Sequence, residues 1–228
     1  MLNWKILTLN IWSSELSKLA SNAMLAQRIS SINSLSALCE KTEANIEEVS
    51  IAIGMDHRIG PKFLNASVGF GGSCFKKDIL NLVYLCRHYG LDEVAEYWHQ
   101  VIKINDYQTK RFAKKIIEAI HEKNKKSKVT LLGWSFKKDT NDSRESASID
   151  VVKDLLKNDI RVNAFDPMVS KEKILNDLKD LPNSKLMKLK ISSSINDSLI
   201  GSYGICIITD WDEFKDIDFN KASNRLVK

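Results

Sequence analysis

The residues of this 228-residue chain best placed to do chemistry lie in one stretch, Val68 to Cys86, "VGFGGSCFKKDILNLVYLC". Gly69, Gly71 and Gly72 precede Ser73 and Cys74, and Asp78 follows the cysteine by four positions. Glycines this close together let a backbone take positive φ and approach a ligand. The amides such a loop exposes suit an anionic or polyhydroxyl group. The apolar run after Lys77 reads as a helix, with Cys74 at its N-terminal edge. There the helix dipole favours a thiolate, and Lys76 and Lys77 add positive charge. If the helix starts here, Cys74 and Asp78 share a face. A thiol beside a carboxylate can serve as nucleophile and water-activating base. The same residues also fit an inert thiol at a helix start after a plain tight turn, and spacing alone does not choose. The glycines are spaced GxGG rather than GxGxxG, and no strand leads into them, so the stretch is not a dinucleotide fingerprint.

These residues need rigid elements to hold them, and sparse punctuation outlines those elements: nine glycines and three prolines in the whole chain. Residues 14–40 contain neither, and Leu16, Leu19, Ala23, Ala26, Ile29 and Leu35 recur near the helical period. With Ser13 or Ser14 as cap, this predicts one long helix. A shorter helix over 46–53 ends at Gly54. An irregular segment over 55–73 holds Gly60-Pro61 and the glycine cluster. Helices over 76–89, ending at Gly90, and 92–122 follow. Then the period changes. "KVTLLGW" (128–134), "IRVNAFDP" (160–167) and "YGICIITDW" (203–211) read as strands, and "ASIDVVKDLLKN" (147–158) as a helix. Such alternation predicts a parallel sheet. The expected class is α/β overall: an all-helical part to about residue 125, then an open α/β part.

Composition narrows the functions. The chain is 43% hydrophobic and 28% charged with a formal net charge of +5, ordinary for a globular protein. The one tight basic run, "KNKKSK" (Lys123–Lys128), has no interleaved aromatic residues and reads as a solvated loop, so no nucleic-acid partner is expected. Four cysteines (Cys39, Cys74, Cys86, Cys206) fit no CxxC spacing, and four histidines form no HxH or HxxxH pair; no metal site is expected. The cysteines read as reduced thiols and the expected location is cytoplasmic. No apolar run approaches the roughly 20 residues of a membrane span.

At "FLNASVGFGGSCFKKDILNLVYLC" the residues go beyond pattern. This stretch resembles the active-site segment of the UDP-glucose 6-dehydrogenases of the UDP-glucose/GDP-mannose dehydrogenase family. "WSSELSKLASNAMLAQRISSINSLSALCE", "IGMDHRIGPKFL", "YWHQVIKINDYQ", "LLGWSFKKDTNDSRESASI" and "IITDWDEFK" resemble further blocks of that family, in order. The resemblance implies a central dimerisation domain over 12–125 and a Rossmann-like UDP-binding domain over 126–228, after an unmatched or poorly ordered start over 1–11. It implies NAD as cofactor, UDP-glucose as substrate, UDP-glucuronate as product, and a dimer-based homo-oligomer formed through the long helix.

Carried over residue by residue, the resemblance makes Cys74 the nucleophile that holds the C6 aldehyde as a thiohemiacetal and then a thioester. Asp78 helps activate the hydrolytic water; Lys18 steadies the developing oxyanion, with Asn22 beside it. Arg58, Phe63, Leu64, Phe70, Gly71, Phe136 and Lys137 become substrate-binding residues, and Arg144 a residue close to NAD. Three departures follow. A GxGxxG-bearing NAD domain is expected ahead of these blocks, and this chain carries none; Gly133 is followed by Trp-Ser-Phe-Lys. A "DGR" segment expected after them is likewise not found. Asn65 stands where the animal-type members have a lysine, which puts nucleotide affinity in question. The expectation is therefore an incomplete form, inactive alone. The alternatives are a non-catalytic dimerisation or nucleotide-sugar-binding fragment, and a relative acting on another nucleotide sugar.

Overall fold

The computed structural model describes residues 6–123 and 128–218. The interior of the basic run, 124–127, lies outside the described residues, as do 1–5 and 219–228. Two compact units form. The first takes the chain up to Ala66 together with Cys74–Ile104; the second takes Ser67–Ser73 and the chain from Asn105 on.

The first unit is helical. Helix α1 spans Ile11–Thr42, α2 Ile46–Gly54 and α3 Phe75–His88; α4, Asp92–Lys123, starts in this unit and continues into the second. Helix α1 begins earlier than the serine cap predicts, because Asn10 accepts a hydrogen bond from the Ser13 amide at 2.8 Å. The expected apolar stripe is also split. Leu19, Ala23 and Ala26 are buried, whereas Leu16 and Leu35 face outwards. The small residues Ala23, Ala26, Ser30, Ser36 and Cys39 make up most of the inward face of α1, which also packs against α3. Helix α2 is capped by Asn45, whose side chain accepts from the Glu47 amide.

The second unit is a four-stranded parallel sheet. Its strands are β1 (Lys128–Leu132), β2 (Arg161–Phe165), β3 (Leu189–Ile191) and β4 (Gly204–Ile207), in the order β3-β2-β1-β4. β1 pairs in register with β2 (Leu131 with Ala164) and with β4 (Leu131 with Cys206). Val129 to Leu132 are buried at every position, the mark of a strand covered on both faces. Helix α5 (Ala147–Lys157) makes the crossover between β1 and β2 and drives Val151, Val152, Leu155 and Leu156 into the core beside Trp134 and Ile174.

The three strands read from the sequence are shorter than predicted, and two of them stop for a local reason. β1 stops at Leu132 because Gly133 turns the chain at φ +91°. β2 stops at Phe165 because Asp166 gathers the next turn around its side chain. The short elements α6 (Lys171–Asp177), α7 (Asn183–Leu186), β3 and α8 (Ile195–Leu199) were not anticipated. They are held by tertiary bonds instead: the fully buried Asn163 of β2 donates to the Ser198 carbonyl of α8 at 2.7 Å and accepts from the Ser192 hydroxyl after β3 at 2.7 Å.

Candidate active site

In the first unit, Cys74 stands immediately before α3 with near-helical backbone angles, and its carbonyl accepts the Asp78 amide at 2.8 Å. The four thiols differ sharply in access. Cys39 and Cys86 are buried and Cys206 half-buried, whereas Cys74 is exposed. Burial pushes the Cys206 thiol up to about 12, which keeps it protonated.

One turn on, Asp78 is buried in the α1–α3 interface and holds two residues of α1. Its Oδ2 accepts from Lys18 Nζ at 2.8 Å and from Asn22 Nδ2 at 2.6 Å. Lys18 and Asn22 share a face because they are four residues apart on one helix. Burial works to raise the Asp78 pKa. The hydrogen bonds from Lys18 and Asn22 and the charges of Lys18 and Lys77 outweigh it, so the carboxyl lies below its ordinary range. Lys18 moves the opposite way, raised first by its bond to Asp78 and further by the charges of Asp78, Cys74 and Glu15. The sequence-predicted group of Cys74, Asp78, Lys18 and Asn22 is thus gathered on two packed helices.

Arg58, Phe63 and Leu64 lie on the loop after α2. The Arg58 side chain is committed to Asp56 (2.6 Å) and exposed, rather than bonded to the Cys74 group. Phe63 adopts φ +61° and is partly exposed, whereas Leu64 is buried. Leu64, Asn65 and Ala66 line one side of a cavity of about 350 Å³, with Ile46, Glu47, Ser50 and Ile51 of α2 on the other. The loop is pinned by a residue the sequence did not single out. Arg28 donates to the carbonyls of Ile59, Gly60 and Lys62 at 2.9, 2.7 and 2.9 Å. Ser50 adds a bond to the Leu64 carbonyl at 2.8 Å.

In the second unit the glycine loop is shaped by its own protein neighbours. A Cβ on Gly71 would lie 2.4 Å from the Glu145 carbonyl oxygen, and one on Gly72 (φ +85°) 2.8 Å from the Phe136 ring. The Gly72 amide donates to the Arg144 carbonyl at 2.9 Å. Asn105 of α4 clamps Phe70, accepting from its amide (2.7 Å) and donating to its carbonyl (3.0 Å), while Thr109 donates to the Val68 carbonyl. Phe70, Gly71, Phe136 and Arg144 are therefore brought together, with Lys137 Nζ 5.6 Å from the Phe136 ring centroid. The Arg144 guanidinium grips Asp142 at 2.7 Å, and that hydrogen bond is the chief reason the Asp142 carboxyl falls to about 2. The Asn105/Thr109 pair was legible as two polar residues four apart on an amphipathic helix; Arg28 carried no such signal.

The turn after β1 is where a doubly wound fold holds a dinucleotide's pyrophosphate. Here a Cβ on Gly133 would strike Thr209, 2.6 Å from its backbone nitrogen, and the Trp134 and Ser135 amides donate to Asp166 at 2.6 and 3.0 Å. Those donors are already spent, so this turn does not fit NAD.

Comparison with known proteins agrees with both units. The central-domain model of the UDP-glucose/GDP-mannose dehydrogenase family matches residues 12–107, and the UDP-binding-domain model of the same family matches 130–228. The chain is 51% identical to UDP-glucose 6-dehydrogenase 3 of Arabidopsis thaliana, covering 98% of this chain and 49% of that protein. It is 53% identical to the UDP-glucose 6-dehydrogenase of Pongo abelii, covering 98% and 46%. It thus spans about half the length of the curated relatives it matches. The solved UDP-glucose dehydrogenase of the hyperthermophilic archaeon Pyrobaculum islandicum superposes with a TM-score of 0.78 at 31% identity, covering 91% of this chain and 45% of that one. With both models falling in order on the two units that carry the thiol group and the parallel sheet, the chain belongs to the UDP-glucose/GDP-mannose dehydrogenase family.

Proposed function

We propose that this chain carries the covalent-catalysis and nucleotide-binding parts of an NAD-dependent UDP-glucose 6-dehydrogenase, which takes UDP-glucose to UDP-glucuronate. The observation that carries this reading is the exposed Cys74 one helical turn before a buried Asp78 that holds Lys18 and Asn22. The Cys74 sulfur adds to the C6 aldehyde, forming a C–S bond and holding the carbon in place. Lys18, kept protonated by Asp78, faces the negative charge that develops on the former carbonyl oxygen, and Asn22 supplies a second donor beside it. Asp78 stays ionised, so its oxygens can only accept hydrogen bonds. That suits it to orient the water that attacks the thioester, releasing the carboxylate and restoring the thiol.

NAD supplies the hydride acceptor in this family's chemistry. The turn after β1 does not fit it, and Arg144 is proposed as a neighbour of the cofactor. Phe70, Gly71, Phe136 and Lys137 hold the nucleotide sugar, the lysine by its charge on the diphosphate. Arg58, Phe63 and Leu64 contribute from the loop that Arg28 pins. Residues 12–125 serve dimerisation and catalysis, and 126–228 bind UDP. An outward stripe on α1, Leu16, Met24, Leu35 and Leu38, supports pairing of two copies along that helix.

Alkylation of the native chain by iodoacetamide, followed by mass spectrometry with and without UDP-glucose, tests the proposal. Protection of Cys74 is the expected result; an alkylation rate that UDP-glucose leaves unchanged at saturating concentration would sink it.

A further inference from the structure

Asp166 is not part of the chemistry above, yet it is among the most heavily bonded side chains of the second unit. Its Oδ2 accepts from the Trp134 amide (2.6 Å), the Ser135 amide (3.0 Å) and Trp211 Nε1 (3.3 Å), with Ser135 Oγ at 3.3 Å. Its Oδ1 accepts from the Met168 and Val169 amides, both at 2.9 Å. The carboxylate is buried, and among the described residues no lysine or arginine pairs with it. Neutral donors alone surround it, as they surround a phosphate in a backbone nest.

The donors come from the carboxyl ends of β1 and β2 and from the segment after β4. β1 and β4 are neighbours in the sheet, so this is the switch point at which an open parallel sheet takes its ligand. An anion is therefore already in the cradle, and it belongs to the chain. Its effect reaches the next residues. Trp134 and Ser135 lead directly into Phe136 and Lys137, and the Thr209 hydroxyl ties the Ser135 carbonyl at the same place.

We propose that Asp166 acts as an internal anion: it fills the cradle where a doubly wound fold takes a ligand's phosphate, closes that turn to an external one, and fixes the start of the loop bearing Phe136 and Lys137. The part that concerns the loop's ligand rests on the nucleotide-binding reading above. Asp166 is a positioning residue and touches no substrate.

The test compares Asp166→Ala, which opens a carboxylate-sized gap, with Asp166→Asn, which keeps the shape but presents an NH2 to amides that need an acceptor. Melting of the full chain is followed by calorimetry in sodium formate and in sodium chloride at equal ionic strength. The expected result is that both variants melt below the wild type in chloride. Formate then raises the melting temperature of Asp166→Ala in a concentration-dependent way, well beyond its effect on the wild type or on Asp166→Asn. UDP titration of the same samples should find affinity weakened roughly tenfold in Asp166→Ala and recovered with formate. The proposal is overturned by an Asp166→Ala protein that formate stabilises no more than the wild type, by one that stays unfolded in both salts, or by an Asp166→Asn protein that melts like the wild type. A wild type that ignores UDP while formate still rescues Asp166→Ala would sustain the internal anion and remove the nucleotide reading instead.

Discussion

Cys74 and Asp78 sit one helical turn apart in very different surroundings, and that contrast governs what each can do. Cys74 is exposed while Cys39 and Cys86 are buried and the Cys206 thiol is pushed up to about 12. Native alkylation should therefore add one adduct, at Cys74, and Cys74→Ser should abolish it; modification of Cys206 at a comparable rate would contradict this. Asp78 is an acid whose folded pKa lies below its ordinary value, so its contribution to stability is present above that value and lost as pH falls through the lower one. Replacing Lys18 by Met removes a bond and a charge that favour the carboxylate. The Asp78 pKa should rise and the acid-unfolding midpoint move to higher pH, as a fluorescence titration can follow. The spacing of Cys74 and Asp78 was legible because helical periodicity puts them on one face. Lys18 and Asn22, some sixty positions earlier, entered only through resemblance, and their bonds to Asp78 came from the structure; nothing local encodes them.

The elements were read unevenly, and the pattern of success is physical. The long helices and the buried strands carry strong periodic or continuous apolar signals, and their centres were found; their ends moved by the reach of a cap or a glycine. A three-residue strand such as β3 has too few positions to show a period, and it exists because β2 offers it backbone partners. Glycines illustrate the same divide. Gly90 has φ +71° with open space where a Cβ would stand, whereas Gly133 combines φ +91° with a Cβ position 2.6 Å from the Thr209 nitrogen. Gly90→Ala should cost about 1 kcal/mol through backbone strain alone. Gly133→Ala should cost at least about 3 kcal/mol, since backbone must shift as well. Urea unfolding of the two variants ranks them; equal costs would show that the Thr209 contact yields freely. The sequence alone offers two similar-looking glycines before apolar residues.

For the whole molecule, the outward stripe on α1 bears on partnership. The inward face of α1 is built mostly of small residues beside Leu19 and Ile32, and four larger apolar ones, Leu16, Met24, Leu35 and Leu38, recur on the outward side. If two copies pair along this stripe, the double substitution Met24→Lys and Leu38→Glu should give monomers in light scattering while far-ultraviolet dichroism keeps its helical signal. A dimer that survives both charges would place the contact elsewhere. A second property is distributed. Asp142, Asp159 and Asp212 each fall from the ordinary 3.8 to about 2 because neighbouring arginine or lysine side chains hydrogen-bond to them. Their folded pKa values are depressed, so the stability they lend is full above about pH 4 and is withdrawn as pH falls from 3.8 towards 2. Thermal melting should drop across that window, less steeply in high salt because these pairs are exposed. By itself the sequence determined the helical-then-parallel-sheet order, the thiol at a helix start and the carboxylate on its face, because periodicity and spacing are properties of neighbours in the chain. Tertiary structure decided which thiol is reachable, which face of α1 is left uncovered, and that an aspartate after β2 takes the amides after β1. Burial, backbone approach and donor supply depend on residues far apart in sequence, and only folding brings those together.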